Sequence, residues 1–171
     1  MRIMGIDPGL TRCGIGIIDL DNHRRSQFVS VYVARTATTD QLASRLLDLE
    51  QQIEILMDSC KPDVVAVERV FSQMNVSTAM GTAQASAVAL LCATRRGIDT
   101  VMYTPTEVKA SVTGSGRADK TQVTTMVTRI LNLSVAPKPA DAADALALAL
   151  CHAMRGMGQQ RLTRALVEQS R

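Results

Sequence analysis

Residues Arg2-Ile3-Met4-Gly5-Ile6-Asp7-Pro8-Gly9 decide the fold of this chain. An apolar run that stops at a carboxylate and is followed at once by Pro and Gly reads as a buried strand delivering Asp7 to its end, before a tight turn. After a short polar bend, Cys13-Gly14-Ile15-Gly16-Ile17-Ile18-Asp19 resumes the strand pattern, so the two runs predict an antiparallel hairpin. A carboxylate at the edge of a core is costly unless a cation or hydrogen-bond donors compensate it. Taken alone, Asp7 is equally a turn former bonding its own backbone and a catalytic acid. The choice depends on whether other carboxylates reach the same place.

Beyond the hairpin, Gln27 to Ala34 alternates with period two and adds a third strand, completing a meander. Leu42, Leu46, Leu49, Ile53 and Leu56 then recur at helical spacing, with Asp48, Glu50, Gln51 and Glu54 between them, which predicts an amphipathic helix with an acidic outer face. Such a face is poorly suited to a polyanion. Pro62 closes that helix, and Asp63-Val64-Val65-Ala66-Val67-Glu68 reads as a buried central strand that also ends on a carboxylate. A loop over Val70 to Asn75 leads to a helix that Asn75 or Ser77 can cap and that runs to about Arg96. Its small residues, Ala79, Gly81, Ala83, Ala85, Ala87 and Ala89, allow close approach either of its own sheet or of a second subunit. Thr100 to Tyr103 is a fifth strand, ended by Thr104-Pro105, a short helix follows, and Gly114 to Lys120 reads as a flexible turn. Val123, Met126, Val127, Ile130 and Leu131 supply one more helical face. The last helix starts near Ala140, with Pro139 suited to its first turn, and ends near Gly156 or Gly158. Three strands followed by strand-helix units predict an α/β domain over 1–155, a five-stranded mixed sheet flanked by helices on both faces, with a basic C-terminal tail over 156–171.

Composition narrows the function. The 171 residues suit one domain with a substantial core, 46% apolar, with Phe28, Phe71, Tyr32 and Tyr103 as its aromatics. The net charge of +3 is small but uneven. Acids dominate from Asp40 to Asp63, whereas Lys109, Arg117, Lys120, Arg129 and Lys138 outnumber Glu107 and Asp119 between Pro105 and Lys138. That asymmetry suits one face that tolerates phosphate and one that does not; charge scattered over a solvated surface competes with this reading. Cys13, Cys60, Cys92 and Cys151 show no CxxC spacing, which points to reduced core residues of a cytoplasmic protein rather than a metal site or disulfide framework. There is no signal-peptide pattern and no apolar run that demands a bilayer.

Two strands thus end on acids, and Asp141 and Asp144, three apart, share a face at the start of a helix whose N-terminus favours anions. If that helix abuts the strand ends, four oxygen donors converge. Hard oxygen ligands without a His-Cys cluster favour Mg²⁺ or Mn²⁺ over Zn²⁺. Two ions roughly 4 Å apart would fit such a set, one activating an attacking water and the other steadying the leaving oxygen of a phosphodiester.

GIDPG at 5–9, VERVF at 67–71, the GxGxxxK stretch from Gly114 to Lys120 and DAADALALA at 141–149 resemble, in this order and over nearly the whole chain, the RuvC family of Holliday junction resolvases. The resemblance implies an RNase H-like fold, a homodimer, cytoplasmic action with the RuvA and RuvB branch-migration proteins, and symmetric nicking of four-way DNA junctions with two Mg²⁺ per subunit, Mn²⁺ substituting. It carries the catalytic and metal-binding role onto Asp7, Glu68, Asp141 and Asp144. Some members have His at the position of Asp141, so Asp141 and Asp144 need not be equivalent. Lys109 and Lys120 match lysines near the scissile phosphates, Arg117 joins them as a basic DNA contact, and Phe71 matches an aromatic that stacks on unpaired bases. Phe71 folded back on the core, and a purely solvating role for the lysines, are the plain alternatives. His23 and His152 match no part of the site. Two other function classes are consistent with parts of the pattern: a non-catalytic junction-binding dimer, and an actin-like phosphotransferase, which should carry a second Gly-rich phosphate loop.

Overall fold

The computed structural model describes the backbone of residues 1–69 and 76–169 and the side chains of 1–69 and 78–156. Strands β1 (Arg2–Asp7), β2 (Arg12–Leu20) and β3 (Ser26–Arg35) form the meander. Helix α1 (Leu42–Cys60) leads to β4 (Val64–Glu68), and α2 (Val76–Arg95) to β5 (Asp99–Tyr103). Helices α3 (Pro105–Thr113), α4 (Lys120–Ile130) and α5 (Ala140–Gln169) complete the chain. The sheet order is β3-β2-β1-β4-β5, with β1–β2 and β2–β3 antiparallel and β1–β4 and β4–β5 parallel. This is the five-stranded mixed sheet that the strand-helix order predicts, in the RNase H-like arrangement that the resemblance implies.

The pleat sorts the two cores. Ile3, Ile18, Val64 and Ala66 face one layer, packed against α3, α4 and α5 through Val108, Val123, Val127 and Leu146. Met4, Ile6, Ile15, Ile17, Val65 and Val67 face the other, against Leu49, Ile53 and Met57 of α1 and Ala85, Ala89 and Cys92 of α2. Because successive side chains alternate between faces, Asp7 follows Ile3 and Gly5, and Glu68 follows Val64 and Ala66, onto the α5 side. Parallel pairing of β1 with β4, Ile6 opposite Val67, brings both carboxylates to the same end of the sheet.

Glycines set the spacing between the sheet and α5. A Cβ on Gly5 would overlap the carbonyl oxygen of Ala145, and one on Gly14 the carbonyl oxygen of Asp141. At Gly16 it would sit 2.8 Å from the Leu146 nitrogen. The helix backbone therefore rests directly on β1 and β2, with its first turn over the end of β1.

Several expectations change in detail. In α1 the buried stripe is Leu49, Ile53, Met57 and Cys60, while Leu42 is 45% exposed. The acids beside that stripe are spent on α2: Glu50 pairs with Arg95, and Glu54 and Asp58 with Arg96 at 2.9 and 2.8 Å. The stretch from Gly114 to Lys120 is a capped connection rather than a loose turn. Gly114 ends α3 in the left-handed region, Ala118 is buried in the core, and Asp119 with Gln122 forms a reciprocal capping box on α4. The last helix does not stop at Gly156 or Gly158 but continues to Gln169. A single glycine in a helix interior costs only about 1 kcal/mol, too little to end it. Asn75, and the side chain of Ser77, lie outside the described residues.

Gly14→Ala is expected to lower stability by about 1–3 kcal/mol or more through overpacking against α5, read as a shift in the denaturation midpoint. Gly156→Ala, with nothing within 4 Å of the added methyl, is expected to be neutral or to stabilise by up to about 1 kcal/mol. Equal tolerance at both positions would show that contact with α5 is not the constraint.

Candidate active site

Asp7, Glu68, Asp141 and Asp144 line a single cleft of about 410 Å³, together with Arg12, Lys109 and Lys120. Asp7 stands at the end of the central strand, Glu68 beside it on β4, and the other two acids in the first turns of α5. A wider groove of about 670 Å³ lies on the outer side of α4, bordered by Thr121, Thr124, Thr125, Thr128 and Arg129, and shares Lys120 with the cleft. Size therefore does not single out the acid cleft; its chemistry does.

Burial, and the charges of Glu68, Asp144 and Asp141, push the Asp7 carboxyl up to about 8, with Lys120 opposing them. Glu68 is raised as well, first by burial and then by Asp144, and a hydrogen bond with Asp7 and the charges of Lys120 and Lys109 offset part of that rise. Near neutral pH the Asp7–Glu68 pair thus retains a proton in the absence of a cation. Lys120 places its Nζ 3.2 Å from Asp144 Oδ2, and this carboxylate keeps the ammonium charged by raising its pKa.

Asp141 gives the clearest test of whether the site fits a cation. Its Oδ2 is shielded from solvent and receives no aligned hydrogen bond. Arg12 Nε is 3.1 Å away, close enough for charge attraction, but its N–H is not directed at that oxygen. A solvent-shielded carboxylate oxygen without a hydrogen bond is costly. The donor set is all oxygen, and a hard divalent cation would satisfy both the orphaned atom and the mutual repulsion of the acids.

Outside the cleft, donor atoms of Glu50, Glu54 and Cys92 lie within 4.8 Å of one another. The two carboxylates are held by Arg95 and Arg96, and burial pushes the Cys92 thiol up to about 11. Without a thiolate and with its acids already paired, this corner is an ion-pair staple between α1 and α2. All four cysteines are free and buried.

The chain matches the family model described as Crossover junction endodeoxyribonuclease RuvC over residues 3–152. It belongs to the RuvC family. A RuvC of Streptomyces avermitilis, named a crossover junction endodeoxyribonuclease, is 59% identical over 166 residues, covering 97% of this chain and 94% of the relative. The solved Thermus thermophilus RuvC in complex with a Holliday junction substrate superposes with a TM-score of 0.86 at 32% identity, covering 92% of this chain and 96% of that one. The yeast mitochondrial resolvase Ydc2 shares the fold, with a TM-score of 0.69 at 15% identity, over 99% of this chain and 86% of that one.

Of the residues singled out in the RuvC-like motifs, Asp7, Glu68, Asp141, Asp144, Lys109 and Lys120 come together in the cleft. Arg117 is exposed on the α3–α4 connection and does not line it. Phe71 lies outside the described residues. Arg12 is the residue that sequence reasoning missed. Its signal was a cation five positions after Asp7, at the start of a strand whose pleat faces α5.

In metal-free protein, Asp7→Asn is expected to raise the melting temperature. The native pKa of Asp7 lies above its ordinary value of 3.8, so the folded state binds the extra proton between about pH 4 and 8. Wild-type stability therefore falls as pH rises through that window and levels off above it. The advantage of the variant should be largest above pH 8 and vanish towards pH 4; a difference independent of pH would refute the buried-proton reading.

Proposed function

We propose that this protein is a structure-selective endodeoxyribonuclease that resolves four-way Holliday junctions by paired symmetric nicks in recombination and repair. The observation that carries the proposal is the convergence of Asp7, Glu68, Asp141 and Asp144 in one cleft, with a buried Asp141 oxygen left without a hydrogen bond, in a chain of the RuvC family. These four acids would hold two Mg²⁺ ions, or Mn²⁺ in their place. Bound there, divalent cations supply water activation and stabilisation of the leaving oxygen, yielding 5′-phosphate ends.

The chain's own groups do the rest. Asp7, central among the acids, gives up its proton when cations enter, and Glu68, Asp141 and Asp144 complete the donor set. Lys109 and Lys120, at the cleft wall, neutralise the phosphates flanking the scissile bond, and Arg117 adds a backbone contact farther out. Phe71 stacks on a base unpaired at the crossover, a contact typically worth about 1–3 kcal/mol. Residues 1–155 form the nuclease domain, in keeping with a core whose last buried member among the described residues is Ala153, and 156–171 form a basic extension.

Two like-polarity nicks in a symmetric junction call for two sites related by a twofold axis, hence a homodimer. Support for its surface comes from α2. Ala85, Ala89 and Ala93 pack on the sheet, while Met80, Ala83, Ala87 and Leu91 form an outward apolar stripe, with Met80 57% and Leu91 54% exposed. Among the described residues no helix is long and apolar enough to cross a membrane. Four free buried cysteines suit a reducing cytoplasm, where the protein would act with the RuvA and RuvB branch-migration complex.

With Mg²⁺, the protein is expected to cleave a mobile four-way junction and to leave a linear duplex intact. Asp7→Asn should retain junction binding while losing cleavage by roughly three orders of magnitude, about 4 kcal/mol of transition-state stabilisation. Undiminished cleavage by the variant would refute the assignment. Leu91→Glu should give a monomer by sedimentation with an unchanged circular dichroism spectrum; a persistent dimer places the interface elsewhere.

A further inference from the structure

Arg12 opens β2 and stands where the turn after Asp7 returns the chain to the sheet. That turn is tight, since a Cβ on Gly9 would overlap the Arg12 carbonyl oxygen. It is also tied down: Thr36 Oγ1 donates to the Leu10 carbonyl, and Arg45 donates to Thr36 Oγ1 at 3.0 Å and to Thr11 Oγ1 at 2.9 Å. Arg12 shares its sheet face with Gly14 and Gly16, the face covered by α5, and its guanidinium meets Asp141. Directly across the ladder is Arg35, exposed and without an acidic partner among the described residues. Like charges opposite one another in antiparallel strands repel. At the cleft wall Arg12 thus shares one largely buried carboxylate, Asp141, while Arg35 opposite it on the ladder stands exposed.

This arrangement suits two alternative anions. A divalent cation on Asp141 would take away the attraction that holds Arg12, whose side chain is already 54% exposed. A released guanidinium beside Arg35 has the geometry that favours a phosphate, because paired cations at a groove edge bind the nucleic acid backbone without regard to sequence. We propose that Arg12 couples metal loading to DNA binding: it neutralises Asp141 in the metal-free protein and is handed over to a DNA phosphate when a cation occupies the acids. The proposal rests on the nuclease reading above. In this scheme Arg12 exchanges one anionic partner for another, and Arg35 is a plain phosphate contact.

The test uses the full-length protein and its Arg12→Gln, Arg12→Lys and Arg35→Gln variants. Calorimetric titration of DNA-free protein with Mn²⁺ should show tighter binding to Arg12→Gln than to wild type, by about two- to fivefold, the range of a partly exposed ion pair. Four-way junction affinity is then measured in EDTA and in Ca²⁺, whose loose coordination suits binding without turnover, with intact DNA checked on a gel. The ratio of the two affinities is the metal–DNA coupling, and linkage makes it reciprocal. Wild type should exceed Arg12→Gln in this ratio by about two- to fivefold, the same ion-pair range. Arg12→Lys should keep most of it, and Arg35→Gln should weaken binding in both conditions without changing it. Unchanged Mn²⁺ affinity, or an unchanged ratio in Arg12→Gln, overturns the proposal. General misfolding would weaken Mn²⁺ binding rather than tighten it, which also counts against it. Junction cleavage by wild type in Mg²⁺ reports on the nuclease reading alone, so failure of that reading and failure of the coupling give different results.

Discussion

The architecture depends on one close approach: the backbone of α5 lies on β1 and β2 with no side chain between them. Gly5, Gly14 and Gly16 make that possible, because a methyl group at any of the three would meet the helix backbone or the Leu146 side chain. The consequence reaches the site through geometry. Asp141 and Asp144 are carried on the first turns of this helix, so the separation between sheet and helix is also the separation between the strand acids and the helix acids. A wider gap filled by ordinary side chains would preserve the hydrophobic layers yet spread the carboxylates apart.

Bringing four acids together in a partly buried cleft is unfavourable, and the protein offsets this cost in three ways. Asp7 keeps a proton that an exposed aspartate would have lost. Lys120 stands against Asp144 and Arg12 against Asp141. The N-terminal end of α5 adds its partial positive charge beneath Asp141. The two ion pairs are weak, since their cations are open to solvent and such pairs are worth about 0–1 kcal/mol. Weakness suits the purpose, because a carboxylate locked into a strong internal pair is a poor ligand for an incoming cation.

Much of this was legible in the chain. Period-two runs ending in Asp7 and Glu68, and a helix opening on Asp141 and Asp144, gave the sheet and the pairing of acids on each element, because alternation and helical spacing are local properties; their convergence hung on where the helix docks. What stayed hidden was non-local. The glycines of the hairpin looked like ordinary strand residues until α5 was seen against them. Arg12 acquired meaning only once the pleat turned it towards Asp141. The acids of α1 looked solvated because their partners, Arg95 and Arg96, are some 40 residues away. Gly156 misled as a helix end because one unfavourable residue is outweighed by the turns that surround it.

The acids are drawn from residues 7, 68, 141 and 144, and the last two ride on the final helix of the fold. Until α5 has been made and docked, a folding chain holds only the strand half of the set, Asp7 and Glu68. Prematurely terminated products lacking α5 lose two carboxylates and a layer of core at once. Docking of α5 on the hairpin is therefore the folding event that assembles the donor set.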